Sequence, residues 1–331
     1  MNLAERITLM VKLGEYLMED SDDLKAVKQK AFENNKWFTE EFIDYSFKNI
    51  STHYLNHEKL ESWVRHYHID DNIRPQKIGI VMAGNIPLVG FHDFLCVFII
   101  GHIQAIKLSE KDDVLLKHLI EKLVAWNPKV SNVVQVASLL KDCDAYIATG
   151  SNNSARYFHN YFGKYPSIIR SNKTSVSVLS GNETLGELTS LSDDVFIYFG
   201  LGCRNVSKLF VPEGYDFEML LNAFKKYSYF ADLTKYRNNY DYNLALFIMN
   251  NKFYMANNCI ILSENENVFS PVSVLNYSYY KNEKTVFVEL NKNENIQCIV
   301  GEGHIPFGKS QQPGLFDYAD GIDTMQFLLS L

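Results

Sequence analysis

The amino-acid sequence predicts an α/β protein built around a parallel β-sheet. Between residues 77 and 150, helix-length segments alternate with four strand candidates, KIGIVMAG, HIQAIKL, SNVVQVAS and DAYIATG. Strand–helix–strand alternation at this spacing is typical of parallel strands that are joined by crossover helices. The chain has 331 residues, which is more than one average domain and favours two domains or one large α/β unit.

The segment before this alternation, residues 1–68, has the apolar periodicity of several amphipathic helices. Trp37, Phe38, Leu60 and Trp63 are the expected buried anchors of these helices. We therefore expect a helical N-terminal region that packs through its aromatic side chains.

Two helices are predicted between the strands. An apolar segment of helical length covers residues 88–100, and DDVLLKHLIEKLVAW opens on two aspartates, as a helix N-terminus favours. Beyond Ser180 the composition changes, and Asn, Tyr and Lys become frequent. The runs NCIILS, VSVLNYSYY and TVFVELN predict further strands there, so we expect a second α/β or β-rich domain over residues 182–303.

Composition and charge exclude several classes of protein. The formal net charge of −7 argues against a nucleic-acid-binding surface, which would need a basic stripe. The longest apolar run, FLCVFIIGHIQAI, is interrupted by polar residues and is too short to span a bilayer, so we expect no membrane insertion. The N-terminus lacks a signal-peptide core, and the five cysteines form no CxxC pair, which predicts a reduced, soluble, cytoplasmic protein.

Parallel sheets bind ligands beyond the carboxyl ends of their strands, and three polar segments follow strand candidates there. Asn85 lies in AGNIP (83–87), where a side-chain amide either stabilises an oxyanion or simply occupies a turn. Lys107 and Glu110 lie in KLSEK (107–111), where they either bind ribose hydroxyls or form a solvated turn.

The third segment, TGSNNSA (149–155), has the pattern of a strand end followed by a turn and a helix. Gly150 permits close backbone approach, and the N–H groups and dipole of the helix N-terminus favour an anion such as a pyrophosphate. The alternative is a plain helix cap by Ser151 or Asn152. The dinucleotide-binding pattern GxGxxG is absent.

Cys203 differs from the other four cysteines by its neighbours, Gly202 and Arg204. An adjacent cation and local backbone N–H groups lower the pKa of a thiol, and a thiolate forms covalent acyl intermediates. The alternative is a tolerated loop cysteine. A pairing of Cys203 with His304 or His92 stays open, whereas no histidine pair has the spacing of a zinc site, so no metal is expected. The remaining cysteines lie in or beside apolar runs and are expected to be structural: Cys96, Cys143, Cys259 and Cys298.

Taken in order, AGNIP, KLSEK, ATGS, GLGC with SKLFV, FSPV and PFG resemble the motifs of the aldehyde dehydrogenase superfamily. They are more similar to its acyl-CoA reductase branch, the LuxC-like family. The closing segment FGKSQQPGLFDYADGIDTMQFL is similar to that branch in particular, and NKWFTEEFI near the N-terminus is similar to it less distinctively. The resemblance covers about residues 75–331.

The resemblance implies an aldehyde-dehydrogenase-like fold, with a Rossmann-type cofactor domain on a parallel sheet and a second α/β catalytic domain. Cys203 is implied as the nucleophile, with the Asn85 side chain and the Cys203 N–H as the oxyanion hole. The implied cofactor-binding residues are Lys107 and Glu110 at the adenosine ribose, Ser109 in the same turn, Gly150 and Ser151 at the pyrophosphate and nicotinamide side, and Phe269 at the nicotinamide ribose. The implied domains are residues 1–181 (N-terminal helices and nucleotide-binding domain), 182–303 (catalytic domain) and 304–331 (a C-terminal segment that returns to the cofactor domain).

Departures from the superfamily pattern decide which reaction is expected. Hydrolytic aldehyde dehydrogenases carry Glu-Leu-Gly-Gly-Lys, whose Glu activates water, but residues 169–173 here are IRSNK, with no acid. A positioned base contributes about 10²–10⁴-fold, so hydrolysis of an acyl-enzyme should be slow and thioester exchange with coenzyme A is favoured. Asn267 stands where the superfamily has a ribose-binding Glu, Glu266 is one position off, and Leu201 replaces the usual Gln.

The expected function is therefore an acyl-CoA reductase that reduces a fatty acyl thioester to an aldehyde with NADPH or NADH, with coenzyme A as the leaving group. Two alternatives stay open. One is an acyl-transfer or acyl-binding protein of the same fold that has lost reductase activity, and the other is a CoA-independent aldehyde dehydrogenase. The expected partners are the acyl-CoA substrate and either a second copy of the chain or an acyl-transfer subunit.

Overall fold

In the computed structural model, which describes residues 1–331, the chain forms two compact units. The first unit comprises residues 1–172 and 313–331, and the second unit comprises residues 173–312. Each unit has its own β-sheet.

The unit boundaries differ from the domain boundaries inferred from the sequence. The prediction places them after residues 181 and 303, whereas the structure places them after Asn172 and Gln312. The first boundary comes earlier because the strand Thr174–Val178 pairs with strands of the second unit. The second comes later because the loop that follows residue 303 is hydrogen-bonded within the second unit.

Four α-helices open the first unit, as the sequence predicts. A side chain that precedes each helix accepts a hydrogen bond from an N–H group of its first turn. Trp63 is fully buried on the fourth helix, and its indole N–H donates to the Tyr318 hydroxyl (3.0 Å), which ties the C-terminal segment to the helices. Phe38 and Leu60 are also buried, so three of the four predicted anchors are confirmed, whereas Trp37 is only partly buried. The helices and their capping residues are α1 (Leu3–Tyr16, Asn2), α2 (Asp22–Asn34, Ser21), α3 (Glu40–Asn49, Thr39) and α4 (His57–His66, Asn56).

The sheet of the first unit has five strands, all parallel. Its strands and helices are, in chain order, β1 (Lys77–Val81), α5 (Phe91–Ile100), β2 (Ile103–Lys107), α6 (Val114–Trp126), β3 (Val134–Val136), β4 (Ala145–Thr149), α7 (Asn152–Phe162) and β5 (Ser167–Arg170). The four predicted strands are confirmed, and β5 joins them at one edge. The strand order is β3-β2-β1-β4-β5, so successive strands are added on one side of β1 as far as β3 and on its other side from β4 onward. Open α/β sheets bind ligands at such a switch point, beyond the carboxyl ends of the strands.

Helix α5 lies in the core of the first unit, where every residue except His92 is buried. Its one acidic residue, Asp93, pairs with Arg170 at the end of β5, with 2.6 Å between Oδ2 and Nη1. None of the helices in the structure combines the length and the apolar character needed to cross a membrane.

The second unit contains a sheet of six strands. Its strands and helices are, in chain order, β6 (Thr174–Val178), α8 (Leu185–Phe196), β7 (Val206–Pro212), α9 (Glu218–Ala223), α10 (Thr234–Met249), β8 (Met255–Ala256), β9 (Ile261–Glu264), β10 (Val274–Tyr280), α11 (Glu283–Leu290) and β11 (Ile296–Val300). The strand order is β11-β6-β7-β10-β9-β8, and only the pairing of β8 with β9 is antiparallel. The last helix, α12 (Thr324–Leu329), belongs to the first unit. Both units are therefore α/β, as the sequence predicts.

The run TVFVELN is helical, so its prediction as a strand is wrong. It lies in α11, where the Asn282 side chain accepts a hydrogen bond from the Lys284 N–H and caps the helix. Val286 and Leu290, about one helical turn apart, are buried in an apolar cluster with Val176 of the sheet. The cap and this packing outweigh the β-propensity of the Thr, Val and Phe side chains.

Candidate functional site

Two of the predicted site segments touch at the carboxyl edge of the first unit's sheet. The loop after β1 carries Asn85, and the turn after β2 carries Ser109. A Cβ atom placed on Gly84 would lie 2.6 Å from Ser109 Oγ, so a glycine is required for the two segments to approach this closely. The structure thus brings AGNIP and KLSEK together.

The Asn85 side chain is exposed, and two hydrogen bonds hold the backbone of its loop. Leu88, three residues later, adopts the left-handed conformation (φ 56°), and its N–H donates to Asp112 Oδ2 at 2.7 Å. The Ser46 hydroxyl donates to the Pro87 carbonyl at 2.9 Å. These two bonds fix the backbone that presents the Asn85 side chain.

Asp112 is a residue of this site that sequence analysis missed. Burial raises the pKa of its carboxyl to about 7, and the hydrogen bond from the Leu88 N–H opposes the shift to a smaller degree. The other carboxyl oxygen, Oδ1, is buried without a hydrogen-bond partner. A buried carboxylate with an unpaired oxygen is costly, so folding favours the neutral form. The available signal was the aspartate pair DD at residues 112–113, which the sequence analysis assigned to a helix N-terminus.

We expect Asp112→Asn to remove a pH dependence of stability. Since the folded pKa of about 7 lies above the ordinary value of 3.8, Asp112 stabilises the fold fully below that ordinary value and loses this contribution as the pH rises through 7. The variant should therefore exceed the wild type in free energy of unfolding by roughly 1–4 kcal/mol near pH 8 and match it near pH 4. Urea unfolding of the full chain at both pH values measures the difference. The control is Asp113→Asn, and an equal difference at both pH values would refute the expectation.

Lys107, Ser109 and Glu110 occupy the turn after β2 in different ways. The Lys107 and Glu110 side chains are exposed, whereas Ser109 is partly buried. Ser109 shapes the turn, because its Oγ accepts from the Lys111 N–H (3.3 Å) and its carbonyl accepts from the Asp112 N–H (3.0 Å). Two charged groups therefore stand at the carboxyl edge of the sheet, and their binding to a ribose stays a prediction.

Ser151 caps helix α7, which confirms the capping interpretation of TGSNNSA. Its Oγ accepts a hydrogen bond from the Ser154 N–H at 3.2 Å. A Cβ atom on Gly150 would lie 2.9 Å from side-chain carbons of both Ser154 and Phe158, so the residue before the cap must be glycine for the helix to start here. The positive end of the helix dipole lies at the carboxyl end of β4, and anion binding at Gly150 and Ser151 stays a prediction.

Burial separates Cys203 from three of the other cysteines. Cys96, Cys143 and Cys259 are buried, whereas Cys203 and Cys298 are partly exposed. Burial raises the pKa of the Cys259 thiol to about 12 and also raises the pKa values of the Cys96 and Cys143 thiols. These three are poor nucleophiles, as expected of structural cysteines. Cys298 was expected to be structural as well, but it lies partly exposed on β11.

Cys203 lies in the loop between α8 and β7, and the peptide groups on both sides of it are held. The Gly202 carbonyl accepts from the Asn205 N–H at 3.1 Å, and the Cys203 carbonyl accepts from the Ser175 hydroxyl at 3.0 Å. Ser175 Oγ also lies 2.9 Å from Cys298 Sγ. Since a hydroxyl has one hydrogen, the Cys298 thiol is the donor in that contact.

Asn205 and Asp194 are buried polar residues next to this loop that sequence analysis also missed. Two signals for them were present in the sequence. Asn205 stands two positions after the candidate nucleophile, and Asp194 stands at the start of the apolar run VFIYF. A buried polar residue in such a place usually satisfies nearby backbone groups.

Phe269 is partly exposed, and the loop that carries it is held by two buried side chains. The Asn276 side-chain amide donates to the Phe269 carbonyl at 3.0 Å, and Lys208 Nζ donates to the Asn265 carbonyl at 2.9 Å. Burial lowers the pKa of Lys208, partly offset by the Glu266 carboxylate at 3.5 Å. Glu266, which the resemblance places one position from an expected ribose-binding carboxylate, is therefore paired with Lys208.

The segment IRSNK at residues 169–173 contains no carboxylate, and its one buried charge is already paired. Besides the bond to Asp93, Arg170 donates from Nη2 to the Thr324 hydroxyl at 2.9 Å. Ile169, where the resemblance leads us to expect the water-activating Glu of the hydrolytic enzymes, is a partly buried residue of β5. This segment therefore offers no base to a water molecule.

The two histidines considered as partners of Cys203 lie in different surroundings. His92 is in the first unit, where its Nε2 lies 3.1 Å from the Leu315 carbonyl and its ring stacks on Tyr54. His304 is in the second unit, where it stacks on Phe287 (4.5 Å between ring centroids) beside a cavity of about 600 Å³. No group of three or more His, Cys, Asp or Glu side chains is arranged to hold a metal ion.

The fold is similar to that of solved aldehyde dehydrogenases. The indole-3-acetaldehyde dehydrogenase AldA of P. syringae, solved with NAD⁺ and IAA, is 13% identical, with a TM-score of 0.64 over 88% of this chain and 70% of that one. An aldehyde dehydrogenase from Bacillus cereus, solved with NAD⁺, is 14% identical, with a TM-score of 0.63 over 91% and 72%. HpcC from Thermus thermophilus is 11% identical, with a TM-score of 0.66 over 91% and 70%. No protein-family model and no curated protein sequence matches the chain. The aldehyde-dehydrogenase-like fold is therefore confirmed, and the LuxC-like branch stays a prediction.

Proposed function

We propose that the protein is an NADPH- or NADH-dependent acyl-CoA reductase that works through an acyl-enzyme at Cys203. The main support for the proposal is the segment IRSNK at residues 169–173, which contains no carboxylate. By the resemblance, Ile169 stands at the position of the residue that activates water in hydrolytic aldehyde dehydrogenases, and the adjacent Arg170 is paired with Asp93. An acyl-enzyme that lacks a base for water exchanges preferentially with a thiol, so a thioester is the substrate class that fits.

The first unit has features that suit a nicotinamide dinucleotide. The charged groups of Lys107 and Glu110 are exposed at the carboxyl edge of the sheet. The backbone at Gly150 packs closely against the first turns of α7. We propose that Lys107, Ser109 and Glu110 bind the adenosine ribose, while Gly150 and Ser151 contact the pyrophosphate. When bound, NAD(P)H supplies the hydride that reduces the acyl group.

The protein residues act on the thioester carbonyl. The Cys203 thiolate attacks the carbonyl carbon, a C–S bond to Cys203 forms, and the Asn85 amide with the Cys203 N–H stabilises the oxyanion. The bond to the coenzyme A sulfur then breaks, and coenzyme A leaves as a thiol after it takes up a proton. After reduction, the Cys203 sulfur leaves the former carbonyl carbon, which releases the aldehyde and restores the thiolate.

The proposal is tested by incubating the full chain with a panel of acyl-CoAs and NADPH or NADH. Nicotinamide absorbance and intact protein mass are followed together. Acylation at Cys203 with nicotinamide oxidation supports the reductase. Reduction of NAD(P)⁺ by an aldehyde without coenzyme A would instead identify a CoA-independent dehydrogenase and refute the proposal.

One observation favours a second candidate, an acyl-transfer protein without reductase activity. Glu266 is paired with Lys208, and Asn267 takes the place of the ribose-binding carboxylate, which removes one expected contact to the cofactor. In the experiment above, acylation of Cys203 without nicotinamide oxidation would support this candidate. A second copy of the chain or an acyl-transfer subunit is the partner proposed for either activity.

Replacing Asn85 by alanine is expected to lower kcat by about 10²–10³-fold, as loss of one oxyanion donor does in other enzymes. The KM for acyl-CoA should change little, because the amide acts on the charge that develops in the transition state. Steady-state kinetics of reductase activity measure both values. The control is Asn132→Ala, at an exposed asparagine of the first unit. A rise in KM with unchanged kcat would speak against the oxyanion role.

A further inference from the structure

We propose that Asn205 and Asp194 are positioning residues that set the direction of the Cys203 N–H and connect the Cys203 loop to the PFG loop. The Cys203 loop is residues 198–205, and the PFG loop is residues 306–310. The inference rests on the proposed function in so far as Cys203 is the nucleophile. Its structural part concerns two loops of the second unit alone.

The Cys203 loop has a backbone that needs support. Tyr198, Phe199 and Gly200 are consecutive residues in the left-handed region, with φ values of 56°, 58° and 75°. The left-handed conformation costs about 1–3 kcal/mol for each residue other than glycine, and it persists only where contacts with the surrounding structure stabilise it. Some interaction must therefore compensate for the strain at Tyr198 and Phe199.

The Asn205 side chain supplies bonds at both ends of this strained stretch. Its Nδ2 donates to the carbonyls of Ile197 (2.8 Å), Asp194 (3.0 Å) and Val195 (3.3 Å), which are orphan groups at the end of α8. Its Oδ1 accepts from the Gly202 N–H at 2.8 Å. The amide is fully used as both donor and acceptor, and aspartate would lose every donor bond.

The same residue determines how the nucleophile's own N–H points. Asn205 Oδ1 accepts from the Gly202 N–H, which belongs to the peptide group that precedes Gly202. The Asn205 N–H donates to the Gly202 carbonyl at 3.1 Å, which belongs to the peptide group that follows it. That carbonyl and the Cys203 N–H belong to one planar peptide group, so fixing the first fixes the second. The Cys203 N–H is the proposed backbone donor to the oxyanion. Asn205, two residues later in the chain, therefore sets the direction of this N–H group.

Asp194 connects this arrangement to the second loop. Its main-chain carbonyl accepts from Asn205, as described above, and its carboxylate accepts from the N–H groups of Gly308 (2.6 Å) and Ser310 (2.9 Å). Asp194 is 1% exposed, so these bonds are shielded from water. A Cβ atom on Gly308 would lie 3.2 Å from Ser190 on α8, which shows how closely the PFG loop packs on the helix that carries Asp194.

The test uses Asn205→Ala and Asp194→Asn in the full chain, with hydrogen exchange of both loops and steady-state kinetics as readouts. We expect exchange in the Cys203 loop and in the PFG loop to quicken at least about 10-fold in Asn205→Ala, because both loops lose a shared support. The kcat should fall about 10–100-fold while the KM for acyl-CoA changes less than about 3-fold, as misplacement of a catalytic group predicts. The control is Asn243→Ala, which removes a buried amide donor to the Val272 carbonyl and touches neither loop.

Each outcome decides one part of the inference. Unchanged exchange in the Cys203 loop of Asn205→Ala would overturn the positioning role, and so would unchanged kcat in a variant whose loop has loosened. If Asn205→Ala does not fold, Asp194→Asn decides: quicker exchange in both loops supports the connection, and quicker exchange in the PFG loop alone overturns it. A wild-type protein without reductase activity would refute the proposed function, whereas the exchange experiment would still test the two loops.

Discussion

Replacing Cys203 by alanine is expected to abolish the acyl-enzyme and to lower turnover with acyl-CoA by at least about 1,000-fold. The reason is chemical, because the proposed reaction has no covalent intermediate without the Cys203 sulfur. Intact-mass measurement after mixing with acyl-CoA should show one added acyl group in the wild type and none in the variant. Nicotinamide oxidation should be lost in parallel.

The matched control is Cys298→Ser, since Cys298 is the other partly exposed cysteine and lies 2.9 Å from Ser175 Oγ. Serine keeps a donor in that contact, so acylation at Cys203 should persist. Acyl mass that disappears in Cys298→Ser but remains in Cys203→Ala would move the nucleophile to Cys298. Turnover that survives in Cys203→Ala would refute the assignment altogether.

Replacing Arg170 by methionine is expected to lower the free energy of unfolding by about 3–5 kcal/mol, because Asp93 would stay buried without its counter-charge. Burial alone would lower the pKa of Arg170, but the Asp93 carboxylate outweighs it and the pKa rises. Arg170 therefore stays charged in the folded protein. Urea unfolding of the full chain at neutral pH measures the loss.

Two further variants make this prediction specific. The double variant Asp93→Asn, Arg170→Met should recover much of the loss, since it leaves no unpaired charge. Lys117→Met breaks the exposed pair with Asp113 and should cost less than about 1 kcal/mol. A cost below about 1 kcal/mol for Arg170→Met alone would mean that water reaches Asp93 in solution.

Local sequence patterns predicted most of the elements correctly. The four strands from KIGIVMAG to DAYIATG, the capped helix after TGS and the buried anchors Phe38, Leu60 and Trp63 are all present. These features depend on residues that are near one another in the chain, such as an alternating apolar run or a serine before a helix. The helix at TVFVELN was missed, since its β-branched residues favour a strand until the Asn282 cap and packing against Val176 are known.

The positioning residues could not be predicted in the same way. Asp112 acts on Leu88 and Asp194 acts on Gly308, over separations of 24 and 114 residues. Their roles exist because the fold brings a carboxylate to an unpaired backbone N–H, and no spacing in the sequence encodes such a meeting. The partial exposure of Cys298 has the same origin, since it follows from the position of β11 at the sheet edge.

By itself, the sequence determined the α/β class, because local periodicity suffices for it, and its resemblance to the aldehyde dehydrogenase superfamily pointed to Cys203 as the nucleophile and to a missing base at IRSNK. The tertiary structure alone decided where the second unit begins, that Arg170 is paired with Asp93, and which side chains hold the Cys203 and Asn85 loops. The physical reason is that burial and hydrogen bonding between distant segments are properties of the folded chain. A polar side chain stabilises a loop in this way only when folding excludes water from it and brings a backbone group within hydrogen-bonding distance.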